Sequence, residues 1–297
     1  MTGRLDAAGS ATPRTPGGSG AAPGLDARRA AFRKLHEDGC FILPNPWDIG
    51  SARWLAGAGF PALASTSSGF AWSRGTPDGG QALDAALAHL RDLCGATPLP
   101  VNADFEHGFA RDLDGLARNV RACVETGVAG LSIEDSTGDR RKPLFDLPEA
   151  VERMAAARQA IDATGADVLL VGRAECHLVG HPDPLNESIR RLRAYAEAGA
   201  DCLYAPGLRT REEIAAIVAA VAPKPVNVLV GAPLGVTRDD LAALGVRRIS
   251  LGGALARAAW GGLMRATRDL AEGRFEALGH AASGADLNGF FAAEARR

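Results

Sequence analysis

The amino-acid sequence predicts a (β/α)8 TIM-type barrel, and three features of the chain support this prediction. Eight short apolar runs alternate with segments of helical periodicity. Each run is continuously apolar, which is typical of parallel strands that are buried on both faces. Several helices end in a glycine-containing turn that leads into the next run, as αβ loops do. A doubly wound open sheet is the alternative, and the count of eight strands weighs against it.

The predicted elements follow one another along the chain in a regular order. An N-terminal helix covers Leu25 to Asp38, and Gly39 stands where a terminating glycine is expected. The predicted strands lie at 41–45, 62–66, 99–104, 130–135, 167–174, 202–207, 225–231 and 247–253. The clearest turn glycines before strands are Gly59, Gly127, Gly199 and Gly245. After the last strand we predict a long helix over Leu255–Gly273 and at least one more helical segment within Phe275–Arg297.

Length and composition favour one soluble domain that acts on small molecules. The chain has 297 residues, with 33 basic against 35 acidic side chains and no basic block, which argues against nucleic acid as a partner. No stretch reaches the roughly 18 apolar residues that span a membrane. Residues 1–24 are rich in Gly, Ala, Pro and Ser and predict a disordered tail, leaving 25–297 as a single barrel domain. The extra C-terminal helices suggest a homo-oligomer, either a dimer or a tetramer.

Cysteine usage bears on the compartment. Five widely separated cysteines show no CxxC pair, so neither a zinc knuckle nor a disulfide framework is indicated. This pattern favours a reduced, cytoplasmic protein.

Polar residues gather where the predicted strands end, which is where barrel enzymes carry their chemistry. Strand 1 is followed by Asn45, strand 2 by 65–69 and then Asp78, and strand 7 runs through Asn227. The opposite turns are made of Gly, Ala, Val and Pro. Acidic residues close the third and fourth strands, namely Asp104, Glu106 and Glu134. Asp104 and Glu106 are spaced i and i+2, which in a strand places both on one face.

Four carboxylates at one mouth would repel each other unless a positive charge lies among them. Oxygen ligands without clustered Cys or His favour Mg²⁺ or Mn²⁺ over other metals, so the predicted ligands are Asp78, Asp104, Glu106 and Glu134. The alternative role for Asp78 is a helix N-cap before Gly79. Arg173 ends strand 5 and is suited to bind the carboxylate of a substrate in a bidentate manner.

Five segments, in order, resemble the isocitrate lyase and phosphoenolpyruvate mutase superfamily. They are NPWDIGSARWLAGAGF, SSGFA with Asp78 downstream, ADFEHGFA, SIED and VGRAE. The likeness extends from about Phe41 to Leu263. It implies a Mg²⁺-dependent lyase that breaks a carbon–carbon bond of a small 2-oxo or 2-hydroxy carboxylate through a metal-held enolate. The alternatives are a carbon–phosphorus enzyme of the phosphonopyruvate mutase or hydrolase type and a barrel that binds a carboxylate without turnover.

The resemblance also implies roles for individual residues. Asp104 would be the principal metal ligand, while Glu106, Glu134 and Asp78 would hold metal-bound waters. The residues assigned to substrate binding are Ser67, Ser68, Gly69, Asn45, Arg173 and Asn227. Those assigned to catalysis are Arg173, Ser68 and Glu134.

Two departures from the superfamily pattern stand out. The usual strand 3 pair is two aspartates, whereas this chain has Asp104 and Glu106. The lyases carry a Lys-Arg/Lys-Cys-Gly-His loop after strand 4, but here the loop reads STGDRRKPLFD and lacks Cys and His. This places the chain closer to the mutase-like branch, although the Lys-Thr-Asn run of the phosphonate mutases is also missing. Arg140, Arg141 and Lys142 could attract an anionic substrate to a short lid.

Other candidates for chemistry have plainer alternatives. His107 follows the acidic pair, and Cys176 and His177 follow Arg173, so each is a conceivable acid or base. By strand parity, however, His107 faces outward. A buried cysteine such as Cys176 is more often structural than reactive. Asp135 is predicted to point away from the barrel mouth and to serve in an ion pair or a cap. His36, His89 and His280 are interpreted as surface or helix residues.

Overall fold

The eight predicted strands form a single parallel sheet that curls into a nearly closed barrel. A computed structural model describes residues 23–294 of the chain. The predicted tail therefore lies almost wholly outside the described residues, and the domain boundary at residue 24 stays a prediction. The strands are β1 Phe41–Leu43, β2 Leu63–Ala64, β3 Val101–Asp104, β4 Gly130–Glu134, β5 Leu169–Arg173, β6 Cys202–Tyr204, β7 Val226–Leu229 and β8 Arg248–Ser250. The prediction of a (β/α)8 barrel is confirmed.

The strands pair in the order β1-β8-β7-β6-β5-β4-β3-β2, and every pair is parallel. The seam between β1 and β2 is bridged by a backbone hydrogen bond of 3.0 Å from the Ala64 amide to the Pro44 carbonyl. Each strand is shorter than predicted, because only the residues that share ladder hydrogen bonds count as strand.

Helices cover the outside of the barrel and extend the chain beyond it. The predicted N-terminal helix is present and ends at Leu35, three residues before the predicted end. The helices are α1 Leu25–Leu35, α2 Ile49–Gly57, α3 Ser67–Ser73, α4 Leu83–Ala96, α5 Leu113–Val124, α6 Leu147–Asp162, α7 Pro184–Glu197, α8 Arg211–Val221, α9 Arg238–Ala243, α10 Ala254–Ala271 and α11 Gly284–Glu294, with a 3-10 turn at Glu276–His280. None of the described helices is both long and apolar enough to cross a bilayer.

The glycine turns that define the repeat behave as predicted. Gly59, Gly127, Gly199 and Gly245 all have φ between +87° and +102°, a region that residues with a side chain rarely enter. Each one ends a helix and turns the chain back toward the next strand. This places all the strand carboxyl ends, and with them the candidate site, at the same end of the barrel.

Two layers of packing hold the barrel. The larger apolar core lies between the sheet and the surrounding helices and includes Phe105, Leu131, Ile133 and Tyr195. The inside of the barrel contains more polar side chains than this outer core does. There, Arg248 donates to the side-chain oxygens of Asn227 (2.8 Å) and Asn102 (3.3 Å). The interior positions therefore alternate with core positions along each strand, as barrel geometry requires.

Candidate active site

Asp104 closes β3 and is held on both sides by the end of β2 and the start of α3. Its amide donates to Ser65 Oγ at 2.8 Å, and its Oδ2 accepts from the Ser67 amide at 3.0 Å. Its Oδ1 lies 3.1 Å from Arg173 Nη1. The carboxylate is thus fixed at the mouth of the barrel, in the position that the sequence pattern predicts.

Arg173 lies at the centre of the acidic cluster. Its Nη1 is 3.1 Å from Asp104 Oδ1 and 3.1 Å from Glu134 Oε2, and its Nε donates to Glu175. The guanidinium also lies over the Tyr204 ring, 5.4 Å from the ring centroid. The sequence predicts Arg173 as a clamp for a substrate carboxylate, whereas the structure places these donors on carboxylates of its own chain. The clamp role stays a prediction.

The cluster carries more negative charge than Arg173 can balance. Among the described residues, Asp104, Glu134 and Glu175 all pair with Arg173, while Asp78 and Glu106 form no ion pair. Burial, reinforced by the charges of Asp104 and Asp78, raises the pKa of Glu106 to about 7. Burial also raises the pKa of Glu134 well above its ordinary value. These shifts are the signature of crowded, partly desolvated carboxylates.

This donor set fits a hard divalent cation. The ligand type is all oxygen, and the surplus of negative charge would be relieved by a bound cation. Within residues 23–294, no three acidic, histidine or cysteine side chains meet closely enough to hold a metal by direct ligation. A magnesium ion that keeps several waters needs only one or two direct carboxylates, so the arrangement fits Mg²⁺ better than a fully caged metal.

Glu106 lies at the site as part of a turn, and not as part of a strand as predicted. The strand ends at Asp104, and Glu106 lies in the following turn with φ +48°, which is a left-handed conformation. The argument from strand parity is therefore wrong, although Glu106 and Asp104 do line one cavity. The turn is tied to the next strand because the Glu134 amide donates to the Glu106 carbonyl at 3.0 Å. A strained non-glycine residue held in this way is often found at a functional site.

Asp78 lies in the exposed loop between α3 and α4. It accepts hydrogen bonds from the Ser67 side chain and from the Gly79 amide. Partial desolvation of the carboxyl and the nearby charge of Asp104 raise its pKa. The alternative that Asp78 caps a helix is wrong, because α4 begins at Leu83 and Ala82 is its N-cap residue.

The first turn of α3 brings Ser67, Ser68 and Gly69 to the mouth. Thr66 caps this helix by accepting from the Gly69 amide at 3.3 Å, and Ser68 Oγ lies 3.1 Å from Thr66 Oγ1. A Cβ at Gly69 would lie 2.7 Å from Thr66 Cγ2, so this position requires glycine. The Ser67 amide is already bound to Asp104, which leaves its hydroxyl near Asp78 and the Ser68 hydroxyl as the candidate substrate contacts.

Asn45 and Asn227 brace the barrel. Asn45 Nδ2 donates to the Ser65 carbonyl at 2.8 Å, and its Oδ1 accepts from the amides of Leu251 and Gly252 at 2.9 Å. Asn227 is fully buried, with its amide bound to Ser250 Oγ at 2.9 Å. The predicted role of both residues is substrate binding. Their side chains instead satisfy buried groups of the protein, so the geometry does not support that role.

Glu175 and Tyr204 belong to the cluster but had no assigned role. Glu175 is buried, pairs with Arg173, and its amide donates to Asp135 Oδ1 at 2.8 Å. The i, i+2 spacing from Arg173 was the signal that could have found it. Asp135 points away from the mouth as predicted and forms an ion pair of 3.0 Å with Arg191. Asp135 therefore anchors the backbone of Glu175 from behind.

Comparison with known proteins identifies the family. The sequence model described as phosphoenolpyruvate phosphomutase matches residues 32–271. The chain belongs to this family. A candidate lyase/mutase from Burkholderia cenocepacia J2315 has a solved structure with a TM-score of 0.87 and 47% identity, covering 90% of this chain and 97% of that one.

Two relatives that are named as enzymes lie in the same superfamily. The oxaloacetate decarboxylase of Bradyrhizobium diazoefficiens is 31% identical over 76% of this chain and 78% of its own length. The 2-methylisocitrate lyase of Halalkalibacterium halodurans is 32% identical over 61% of each chain. These relatives make the chain an enzyme of lyase type, with the reaction unspecified.

The loop after β4 is where this member of the phosphoenolpyruvate phosphomutase family differs from the lyase pattern. It is pinned by an isolated antiparallel bridge between Ser136 and Leu144, and Lys142 pairs with Asp146 at 2.8 Å. His107 does not share the cavity of Asp104 and Glu106. It lines a separate cavity of about 240 Å³ together with Arg111, Lys142 and other residues. His107 therefore lies beside this loop rather than in the acidic cluster.

Three further candidates, Cys176, His36 and His89, are buried. Cys176 is fully buried, and burial raises the pKa of its thiol to about 11, which is the state of an unreactive cysteine. His36 and His89 are each only 7% exposed, and no pattern in the sequence indicates that they are buried. The ring of His36 packs against Phe32 and Phe41 at the far end of the barrel.

Proposed function

We propose that the chain is a Mg²⁺-dependent lyase that breaks a carbon–carbon bond in a small 2-oxo or 2-hydroxy carboxylate. The observation that carries the proposal is the crowded acidic cluster around Arg173 at the C-terminal end of the barrel. Members of the family generally depend on a divalent metal. Mn²⁺ is the alternative ion, because it also prefers oxygen ligands.

Asp104 is the proposed principal ligand of the metal, because its carboxylate accepts from the Ser67 amide, its own amide is held by Ser65 Oγ, and the side chain faces the mouth. Glu106, Glu134 and Asp78 surround it and would hold waters of the metal. A bound Mg²⁺ supplies positive charge that stabilises an oxyanion developing on the substrate. The Ser68 hydroxyl would donate to the substrate. Arg173 is oriented by Glu134 and Glu175 and would bind or orient the substrate carboxylate.

The carboxylate ligands of this site are also compatible with a second class of reaction. The family model is described as phosphoenolpyruvate phosphomutase, so a carbon–phosphorus enzyme is the alternative function. Such an enzyme would use the same acidic cluster but would also need contacts to a phosphonyl group. The exposed Arg140 and Arg141 of the loop after β4 are candidates for such contacts.

Mg²⁺-dependent deuterium exchange tests whether the site enolises a bound 2-oxo acid. Exchange from D2O into pyruvate, followed by NMR, would support both enzyme classes, and no exchange across a panel of 2-oxo acids would contradict them. Oxaloacetate, 2-methylisocitrate and phosphonopyruvate tested side by side then separate the classes. Turnover of the phosphonate alone would refute the lyase.

The oligomeric state is a separate part of the proposal. Trp260, Leu263 and Met264 on α10 are 41%, 52% and 52% exposed, which is unusual for large apolar side chains on one helix. We expect this face to be covered in a homo-oligomer, either a dimer or a tetramer. Light scattering after gel filtration measures the mass directly, and a monomer at micromolar concentration would contradict the expectation.

A further inference from the structure

A small cavity adjoins the acidic cluster on the side of α4. Its volume is about 20 Å³, which is room for one group of the size of a water molecule. Ser67, Asp104 and Glu106 line it on the side of the barrel mouth, and Phe70, His89 and Leu90 line it on the side of the helices. Because it shares three residues with the mouth, a substrate bound there can place a substituent in it.

His89 is the unexplained residue of this cavity. It is 7% exposed, and its ring stacks on Phe70 with the centroids 3.9 Å apart and the planes 11° from parallel. Its Nε2 is buried and has no hydrogen-bond partner among the residues that the structure describes. A buried polar atom without a partner destabilises a fold, so one that persists beside an active site needs a reason.

The protonation state of the His89 imidazole limits which groups can form a hydrogen bond with its Nε2. Burial lowers the pKa of His89 to about 4, so the ring is neutral at physiological pH. A neutral imidazole offers either a donor or an acceptor at Nε2, depending on the tautomer. A hydroxyl group can fill either role, whereas a methyl group of the same size can fill neither.

We propose that this cavity is a subsite for one hydroxyl group, carried on the carbon next to the 2-oxo carbon of the substrate, and that His89 Nε2 binds it. The proposal rests on the proposed function, since it assumes that a 2-oxo acid occupies the mouth. Phe70 holds the imidazole by stacking, and the limited volume excludes larger substituents. His89 is therefore a specificity residue that selects hydroxylated over methylated acids.

Two acids of nearly equal size test the selection. 3-Hydroxypyruvate and 2-oxobutyrate differ only by a hydroxyl in place of a methyl on C3. With Mg²⁺ present, we expect the wild-type protein to bind 3-hydroxypyruvate about 10- to 100-fold more tightly by calorimetry, the range expected when a buried polar partner is gained or lost. Equal affinity, or tighter binding of 2-oxobutyrate, would overturn the proposal.

Variants of His89 separate a binding role from a packing role. His89→Phe keeps a ring on Phe70 but removes Nε2, and it should reduce the affinity ratio of the two acids to about one. It should also raise the melting temperature, because an unpaired buried polar atom is lost. His89→Gln places an amide nitrogen near the Nε2 position and should restore much of the ratio. A ratio that stays at the wild-type value in His89→Phe would refute the assignment.

His36→Phe is the matched control. His36 is equally buried and its Nε2 also has no hydrogen-bond partner within residues 23–294, yet it lies away from the acidic cluster. This variant should leave the ratio of the two acids unchanged, and an equal loss of selection would mean that the effect is not local. A crystal structure with 3-hydroxypyruvate gives the direct view. A hydroxyl within hydrogen-bond distance of His89 Nε2 supports the subsite, and a retained water there overturns it.

Failure of the subsite can be told apart from failure of the proposed function. Mg²⁺-dependent exchange of pyruvate without any preference between the two C3-substituted acids would overturn only the subsite. No Mg²⁺-dependent binding or exchange with any of the three acids would overturn the function, and the subsite with it.

Discussion

Replacing Glu106 with Gln should stabilise the metal-free protein at neutral and alkaline pH. Burial and the neighbouring Asp104 and Asp78 raise the pKa of Glu106 from an ordinary 4.5 to about 7. The folded protein therefore keeps a proton that the unfolded chain releases, so the free energy of unfolding falls as pH rises from about 4.5 to about 7. A pKa shift of this size lowers the free energy of unfolding by about 3 kcal/mol once the pH exceeds the pKa of the folded state, at about 1.4 kcal/mol per pKa unit.

Urea unfolding of both proteins in EDTA, at several pH values from 4.5 to 8.5, measures this difference. The stability gain of Glu106→Gln should be near zero at pH 4.5 and should reach its full size above pH 7. Glu152→Gln, a change at an exposed position in the middle of α6, is the control and should show no such rise. Added Mg²⁺ should stabilise the wild type more than the variant, because a bound cation offsets the repulsion that Gln has already removed. A gain that is constant across this pH range would refute the reasoning.

Three further predictions concern neighbouring parts of the site. Arg173→Met should lower the free energy of unfolding, measured in urea, by about 3–5 kcal/mol, because it leaves buried carboxylates without their cation. A loss below about 1 kcal/mol would contradict the claim that Arg173 stabilises the fold through its ion pairs with Asp104 and Glu134. Tyr195→Phe should cost about 1.5–3 kcal/mol in the same assay, because it removes the 2.6 Å hydrogen bond to Asp135, and unchanged stability would show that this bond is not formed. The double change of Arg140 and Arg141 to Gln should lower kcat/KM for an anionic substrate at low salt and little at high salt, and a loss that is independent of salt would exclude electrostatic attraction.

The barrel was predictable because its signals are local. Glycine turns, continuous apolar runs and helical periodicity each act over a few residues, and Gly127 and Gly199 adopt the predicted left-handed conformations. The carboxyl ends of parallel strands share one edge by topology alone, so Asp104, Glu134 and Arg173 could be placed together without knowledge of the register. The ion pairs of Arg173 with Asp104 and Glu134 are a finding of the structure, because the sequence pattern predicts Arg173 only as a clamp for a substrate carboxylate.

What the sequence could not indicate depends on contacts between distant segments. The left-handed turn at Glu106 is not visible in a pattern that suits strand alternation equally well. The sequence pattern places Asn227 within strand 7, but it does not show that its side-chain amide is occupied by Arg248 and Ser250 of the neighbouring strand. The sequence pattern predicts His89 as a surface or helix residue, and only the structure shows that its ring stacks on Phe70. Burial and pairing of this kind are properties of the assembled barrel.

Calorimetric titration with Mg²⁺ tests the central claim most directly. The wild-type protein is predicted to bind Mg²⁺ with a stoichiometry of about one per chain. Asp104→Asn keeps the shape of the side chain but removes the charge of the proposed principal ligand, so it should lose measurable binding, while Glu152→Gln should bind as the wild type does. Binding that is unchanged in Asp104→Asn, or absent from the wild type, would contradict a metal site at this end of the barrel.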